Sequence, residues 1–131
     1  MSAANVEIVR SFYENAEGGN LDGALSLVAA DCTWTEMAGF PYAGTYHGPD
    51  GVRDNVFARI GADWDRFAVD VDEVLDAGDT VVGVGTYSGT CKATGKPMRA
   101  RVVHVFRVRG GEIVAFEQFA DTLKVDEATK A

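Results

Sequence analysis

The residues able to move protons in this sequence are few and fall in two places. Glu36 ends the short run CTWTE and is followed by a loop dense in glycine, proline and aromatics, GFPYAGTYHGPDG. A carboxylate at the mouth of an apolar pocket is a reasonable proton shuttle, because desolvation raises its pKa toward neutrality. The second place is RVVHVFRVRGGEIVAFEQFADTL, residues 101 to 123, which holds His104, Glu117, Gln118 and Asp121. A histidine titrates near neutrality when unperturbed, so His104 could hold a carboxylate or bond a substrate carbonyl. Gln118 can donate and accept hydrogen bonds but cannot transfer a proton at neutral pH. His104 and His47 have no regular ligand spacing, and Cys32 and Cys91 form no CxxC or Cys/His pattern, so no metal site is expected.

The elements that must position these groups can be read from hydrophobic period. Val6, Val9, Phe12, Tyr13 and Ala16 recur at helical spacing, and Gly18-Gly19 stop the helix. Asn20 is the expected N-cap of a second short helix with Leu21, Ala24, Leu25 and Val28 on its buried side. Pro49 suits the first turn of a third helix facing inward through Val52, Val56 and Ile60. Beyond Trp64 the period becomes two, giving strands around Phe67, Val69 and Val71, through VVGVGTYSGTC, and on both sides of Gly110-Gly111. Three helices followed by a curled antiparallel sheet is an α+β arrangement.

The double glycine predicts a two-residue hairpin turn, since both positions can take positive φ. An unbroken ladder then pairs Arg109 with Glu112, His104 with Glu117, Ala100 with Asp121 and Val103 with Gln118. Cross-strand partners share a face, so His104, Glu117 and Asp121 would stand together and Gln118 would face the other way. A single bulge exchanges the two faces.

The chain has 131 residues, 47% of them apolar and 24% charged, which suits one domain spanning 1–131 with a single core. Its formal charge of −8 argues against a nucleic-acid partner and against anionic membrane surfaces. The first thirty residues carry Glu7, Glu14, Glu17 and Asp22 with no long apolar run, so neither a secretion signal nor a membrane span is expected. Two unpaired structural thiols and a cytoplasmic location are the matching expectation.

Three stretches, FYENAEGGNLDGALSLVAADCTW, YAGTYHGPDGVRDNVF and HVFRVRGGEIVAFEQFAD, resemble the SnoaL-like branch of the nuclear transport factor 2-like superfamily, which includes ketosteroid isomerases. The resemblance spans almost the whole chain. It implies a cone, in which a strongly curved antiparallel or mixed sheet wraps three helices of the N-terminal half around an apolar pocket. It also implies frequent homodimers through the outer sheet face, and no cofactor. Glu36 resembles the general base of the isomerases, and His104 a pocket histidine of the cyclases. Gln118 stands where cyclases and the epoxide hydrolase carry an acid/base aspartate, with Asp121 and Glu117 as the nearest substitutes. The isomerases' two oxyanion donors fall on Phe12 and Val103, so steroid isomerisation is disfavoured.

Tyr13, Trp34, Val103 and Phe116 are then the expected substrate walls. The resemblance needs His104 and Gln118 in one pocket, which predicts a bulge between Val103 and Phe106 or between Phe116 and Gln118. Three functions stay open. One is a cofactor-free isomerase, cyclase or dehydratase acting by proton transfer on a hydrophobic, carbonyl-bearing ring compound. Another is a ligand-binding or accessory protein without turnover. The last is a structural dimerisation module, whose cone would be plugged by Trp34, Phe12 and Phe116. A cavity of roughly 300 Å³ or more with Glu36 and Gln118 in its wall would favour the first two.

Overall fold

The computed structural model describes residues 3–131. Helix α1 (Ala3–Glu17) buries Val9, Phe12 and Tyr13, as its spacing requires, and gives way at Gly18-Gly19. Helix α2 (Leu21–Leu25) is capped by the Asn20 side chain, which accepts from the Gly23 amide. Strand β1 (Val28–Glu36) follows, then β2 (Gly44–His47), which lies inside the stretch expected to be loop. The third helical segment comes in pieces: α3 (Gly48–Val52) with Pro49 in its first turn, a π-helical stretch Arg53–Phe57, and α4 (Ala58–Asp63). Four long strands complete the sheet: β3 (Trp64–Ala77), β4 (Thr80–Cys91), β5 (Pro97–Arg109) and β6 (Glu112–Ala120). A last helix, α5 (Thr122–Thr129), had no counterpart in the sequence reading.

The six strands form one open sheet in the order β2-β1-β6-β5-β4-β3. Only the β1–β6 pairing is parallel; the others are antiparallel. The sheet is therefore mixed and curled without closing, with β2 and β3 as its edges, and the helices pack on its inner face. Two apolar clusters fill that face. One joins α1, α2 and β1 to Phe106, Ile113 and Phe116. The other lies under α5 and holds Phe40, Tyr42, Trp64, Tyr87, Met98 and Val125.

Gly110 and Gly111 make the expected turn, both at positive φ, and Arg109 pairs with Glu112. The ladder then slips: Val108 faces Ile113, but Arg107 faces Ala115, leaving Val114 as the extra residue. A bulge is present, as the resemblance required, but nearer the turn than either expected position. Its consequence is the register His104↔Gln118, Val105↔Glu117 and Val103↔Phe119. Val114, a β-branched residue, is half-buried at this point, and sequence alone offers no reason for the bulge to choose it.

Candidate functional site

His104 and Gln118 point inward side by side, and so does Glu36. All three are buried, Gln118 at 0% exposure, Glu36 at 4% and His104 at 6%. Parallel pairing sets Trp34 beside Phe116 and Thr35 beside Glu117, which brings the next β1 residue, Glu36, alongside Gln118. Two residues apart on one strand, Trp34 and Glu36 share the inner face, and the indole Nε1 donates to Glu36 Oε2 at 3.1 Å. Gln118 Nε2 donates to the other carboxylate oxygen, Oε1, at 3.3 Å.

The same amide nitrogen donates to the hydroxyl of Tyr87 at 2.9 Å. Tyr87 in turn bonds His104 Nε2 at 2.6 Å, and His104 Nδ1 meets the Tyr13 hydroxyl at 2.8 Å. Gln118 Oε1 accepts from the Met37 amide at 3.4 Å. A continuous buried polar chain therefore runs Trp34, Glu36, Gln118, Tyr87, His104, Tyr13. It spans β1, β6, β4, β5 and α1 and crosses the seam between the two apolar clusters. Among the described residues no buried side-chain polar atom lacks a hydrogen-bond partner. A network so placed is expensive to leave incomplete, since an orphaned buried donor or acceptor costs about 1–3 kcal/mol.

Burial dictates the charge states. Desolvation pushes the Glu36 carboxyl up to about 7 from its ordinary 4.5, against a smaller downward pull from the Trp34 N–H. Burial holds His104 down to about 3, so its imidazole is neutral at neutral pH. The Tyr13 and Tyr87 phenols are pushed well above their ordinary range by the same desolvation, and the Glu36 charge adds to the shift at Tyr87. Near pH 7 the one group here that exchanges a proton readily is Glu36.

Aromatic rings close over this chain. Trp34 stacks on Phe116 with centroids 3.8 Å apart and planes 14° from parallel, a direct product of their pairing in register. Phe12 contacts Trp34 at 5.7 Å and Phe106 at 5.8 Å. Phe57, the last residue of the π-helical stretch, contacts both Phe12 and Trp34. Phe57 also lines an apolar cleft of about 440 Å³ together with Ala16, Ile60, Phe67 and Val69. A second cleft, about 370 Å³, has Tyr13 in its wall with Arg10, Glu14 and the β3 segment Val71–Leu75. Neither cleft reaches Glu36 or Gln118, so the cavity criterion set from sequence is not met by them.

The expected site residues divide cleanly. Glu36, His104, Gln118, Tyr13, Trp34 and Phe116 are brought together inside the sheet. Val103 is not: it pairs with Phe119 and Val84 on the outer face, because β5 alternates and His104 takes the inner one. Asp121 is exposed and serves as the N-cap of α5, accepting from the Lys124 amide at 3.3 Å, so it is no reserve acid for this site. Glu117 lies outside as well, which dissolves the His104/Glu117/Asp121 grouping.

Tyr87 was missed. The signal was available in strand parity: Gly83 pairs with His104, and Tyr87, four residues on, must share its face. Gly83 itself is required, because a Cβ there would collide with the Tyr13 hydroxyl that reaches His104. Cys32 and Cys91 are free and buried, and among the described residues no helix is long and apolar enough to cross a membrane.

Comparison with known proteins agrees with this architecture. A family profile described as the SnoaL-like domain matches residues 9–116. The crystal structure of an NTF2-like protein from Burkholderia thailandensis E264 superposes with a TM-score of 0.95 at 46% identity, covering 97% of this chain and 98% of that one. An NTF2-like protein of unknown function from Burkholderia pseudomallei K96243 gives a TM-score of 0.90 at 30% identity, with both chains covered completely. Patulin synthesis protein F of Aspergillus clavatus is 32% identical over 58% of this chain and 46% of its own, so the chain spans about half the length of that curated relative. The chain belongs to the SnoaL-like domain family, within the NTF2-like fold.

Proposed function

We propose that this protein binds a small hydrophobic, carbonyl-bearing ring compound inside the curled sheet and moves a proton on it with Glu36, without a cofactor. The observation that carries the reading is the Glu36 carboxyl: buried, held by one N–H on each oxygen, and lifted to about 7, so that accepting and returning a proton are nearly balanced. That fits isomerase, cyclase or dehydratase chemistry. For His104 and Gln118 to hold the developing oxyanion, the substrate oxygen must displace a link of the polar chain, because each N–H there is already engaged. The curated relative named for patulin synthesis supports a small-molecule role. Entry is proposed from the cleft beside Phe57, since that ring lines the cleft and contacts Trp34.

Homodimerisation through the outer sheet face belongs to the same proposal. Val82 and Val105 pair across β4–β5, as do Val84 and Val103, and Phe119 beside them is 43% exposed. Removing such a patch from water stabilises association.

The test is deuterium exchange at the α-carbon of a panel of cyclic ketones. Wild type should exchange at least one of them, and Glu36→Gln should lose roughly 100-fold or more, the usual worth of a positioned base. Unchanged exchange in the variant would rule Glu36 out. A second reading, ligand binding without turnover, is favoured by the amide at Gln118. It would give saturable binding to wild type and Glu36→Gln alike, with no exchange. The packing of Phe12, Trp34 and Phe116 is what the purely structural reading required, and that reading fares best if no ligand displaces those rings.

A further inference from the structure

The hydroxyl of Tyr87 has two partners, Gln118 Nε2 and His104 Nε2, and the directions of those bonds can be worked out from one fixed donor. The Met37 backbone N–H can only donate, so the end of the Gln118 amide facing it must be the oxygen. The amide nitrogen then faces Glu36 and Tyr87 and gives one hydrogen to each. Tyr87 is therefore an acceptor from Gln118, and its own hydrogen remains to be placed.

A neutral imidazole carries one N–H. If that hydrogen were on Nε2, Tyr87 would receive two donors, and its own hydroxyl hydrogen would have no acceptor among its partners in a wholly buried position. If it is on Nδ1, Tyr87 donates to Nε2, His104 donates to the Tyr13 oxygen, and every link carries one hydrogen. The last unplaced hydrogen is then Tyr13's, on the residue that borders an open cleft. Orphaning a buried donor costs about 1–3 kcal/mol, which weights the two arrangements by roughly ten- to hundredfold.

We propose that Tyr87 is the positioning residue of this site: by accepting from Gln118 and donating to His104 it holds the amide nitrogen against Glu36 and fixes His104 as its Nδ1–H tautomer. The proposal deepens the proton-transfer reading and rests on it for its functional meaning. The groups that face Glu36 are Trp34 on its own strand, Gln118 on β6, Tyr87 on β4 and, through Tyr87, His104 on β5 and Tyr13 on α1. With Tyr87 gone the amide keeps its oxygen on the Met37 N–H but loses one of the two anchors of its nitrogen, so its bond to the Glu36 carboxylate loosens and the protonated acid is favoured.

The experiment needs no substrate, so its outcome is separable from the exchange assay. The chain has two histidines, so ¹⁵N-histidine labelling gives two signal sets, assigned with a His47→Ala variant. In wild type, His104 should show a protonated, pyrrole-type Nδ1 and a bare, pyridine-type Nε2. In Tyr87→Phe neither tautomer has a partner at Nε2, so the preference should weaken to a mixture with intermediate shifts, Tyr13 donating to Nδ1 in the part that carries its hydrogen on Nε2. The Glu36 midpoint, followed by ¹³C carboxyl signals, should rise by about one unit, a tenfold fall in its ionised fraction at a given pH. A bare Nδ1 in wild type overturns the proposal even if Tyr87→Phe does not fold. So does a folded Tyr87→Phe in which both the tautomer and the Glu36 midpoint are unchanged.

Discussion

The inner and outer faces of the β4–β5–β6 sheet are built from alternate residues of the same strands, yet they obey opposite rules. Inside, Tyr87, His104 and Gln118 are joined by hydrogen bonds of 2.6 to 2.9 Å, and Phe106 and Phe116 pack around them. Outside, Val82, Val84, Val103, Val105 and Phe119 form an apolar surface flanked by Arg101, Arg107 and Glu117. Three hydrogen-bonding residues are thus sealed into an otherwise apolar interior, while an apolar patch lies on the outer face. Such an arrangement is stable only where each buried polar group has its partner and where the exposed patch finds one. One residue, Val114, decides which set of β6 side chains occupies which face.

The sharpest way to break the contrast is to insert one residue between Ala115 and Phe116, beyond the bulge at Val114. Carried through the ladder, the extra residue would set Glu117 opposite His104, driving Glu117 and Phe119 inward and Gln118 outward. Loss of the cooperative thermal transition is expected, by circular dichroism, since the cost exceeds the roughly 4 kcal/mol that marks exceptional single changes. Next comes Gly83→Val, which sets a branched side chain where the Tyr13 hydroxyl stands. A destabilisation of about 1–3 kcal/mol in urea denaturation is expected. Val84→Thr, its neighbour on the outer face, should cost the folded protomer no more than about 0.5 kcal/mol. Equal effects from these two would erase the distinction between the faces.

A gentler probe is pH. Glu36 is raised when folded, so its contribution is fully present below 4.5 and is lost as pH climbs through about 7. His104 is lowered, so its contribution is present above 6.5 and lost as pH falls toward about 3. Wild type should therefore lose stability relative to Glu36→Gln as pH rises from about 4.5 to about 7, measured as the difference in melting temperature. A difference that does not change across that window would mean Glu36 is solvated. Tyr13→Phe, which removes one bond at the end of the chain, should cost about 1 kcal/mol.

Much of the fold could be read before the structure. The first and third helix faces, the Asn20 cap, Pro49 in the third helix and the Gly110-Gly111 turn rest on local chemistry and are found where it puts them, whereas Val28, expected on the second helix, opens β1. The site was legible only in part, because it depends on registers between distant strands. Glu36 and Gln118 meet through a parallel pairing that no local signal announces. Val103 was placed a face away because the unbroken ladder set it opposite Gln118, and Asp121 was taken for an acid where it acts as a helix cap. Tyr87 went unnoticed because its partners lie 17 and 31 residues away in sequence. β2 and α5 were overlooked because a four-residue strand and an eight-residue helix carry little periodic signal.

Burial holds Glu36 near neutrality against the downward pull of the Trp34 N–H, ready to take and return a proton. A ¹³C NMR titration of the Glu36 carboxyl carbon, assigned by its loss in Glu36→Gln, measures this directly. The structure places the midpoint at about 7. A midpoint at the ordinary value of 4.5 would show an exposed, uncoupled carboxylate and contradict the account.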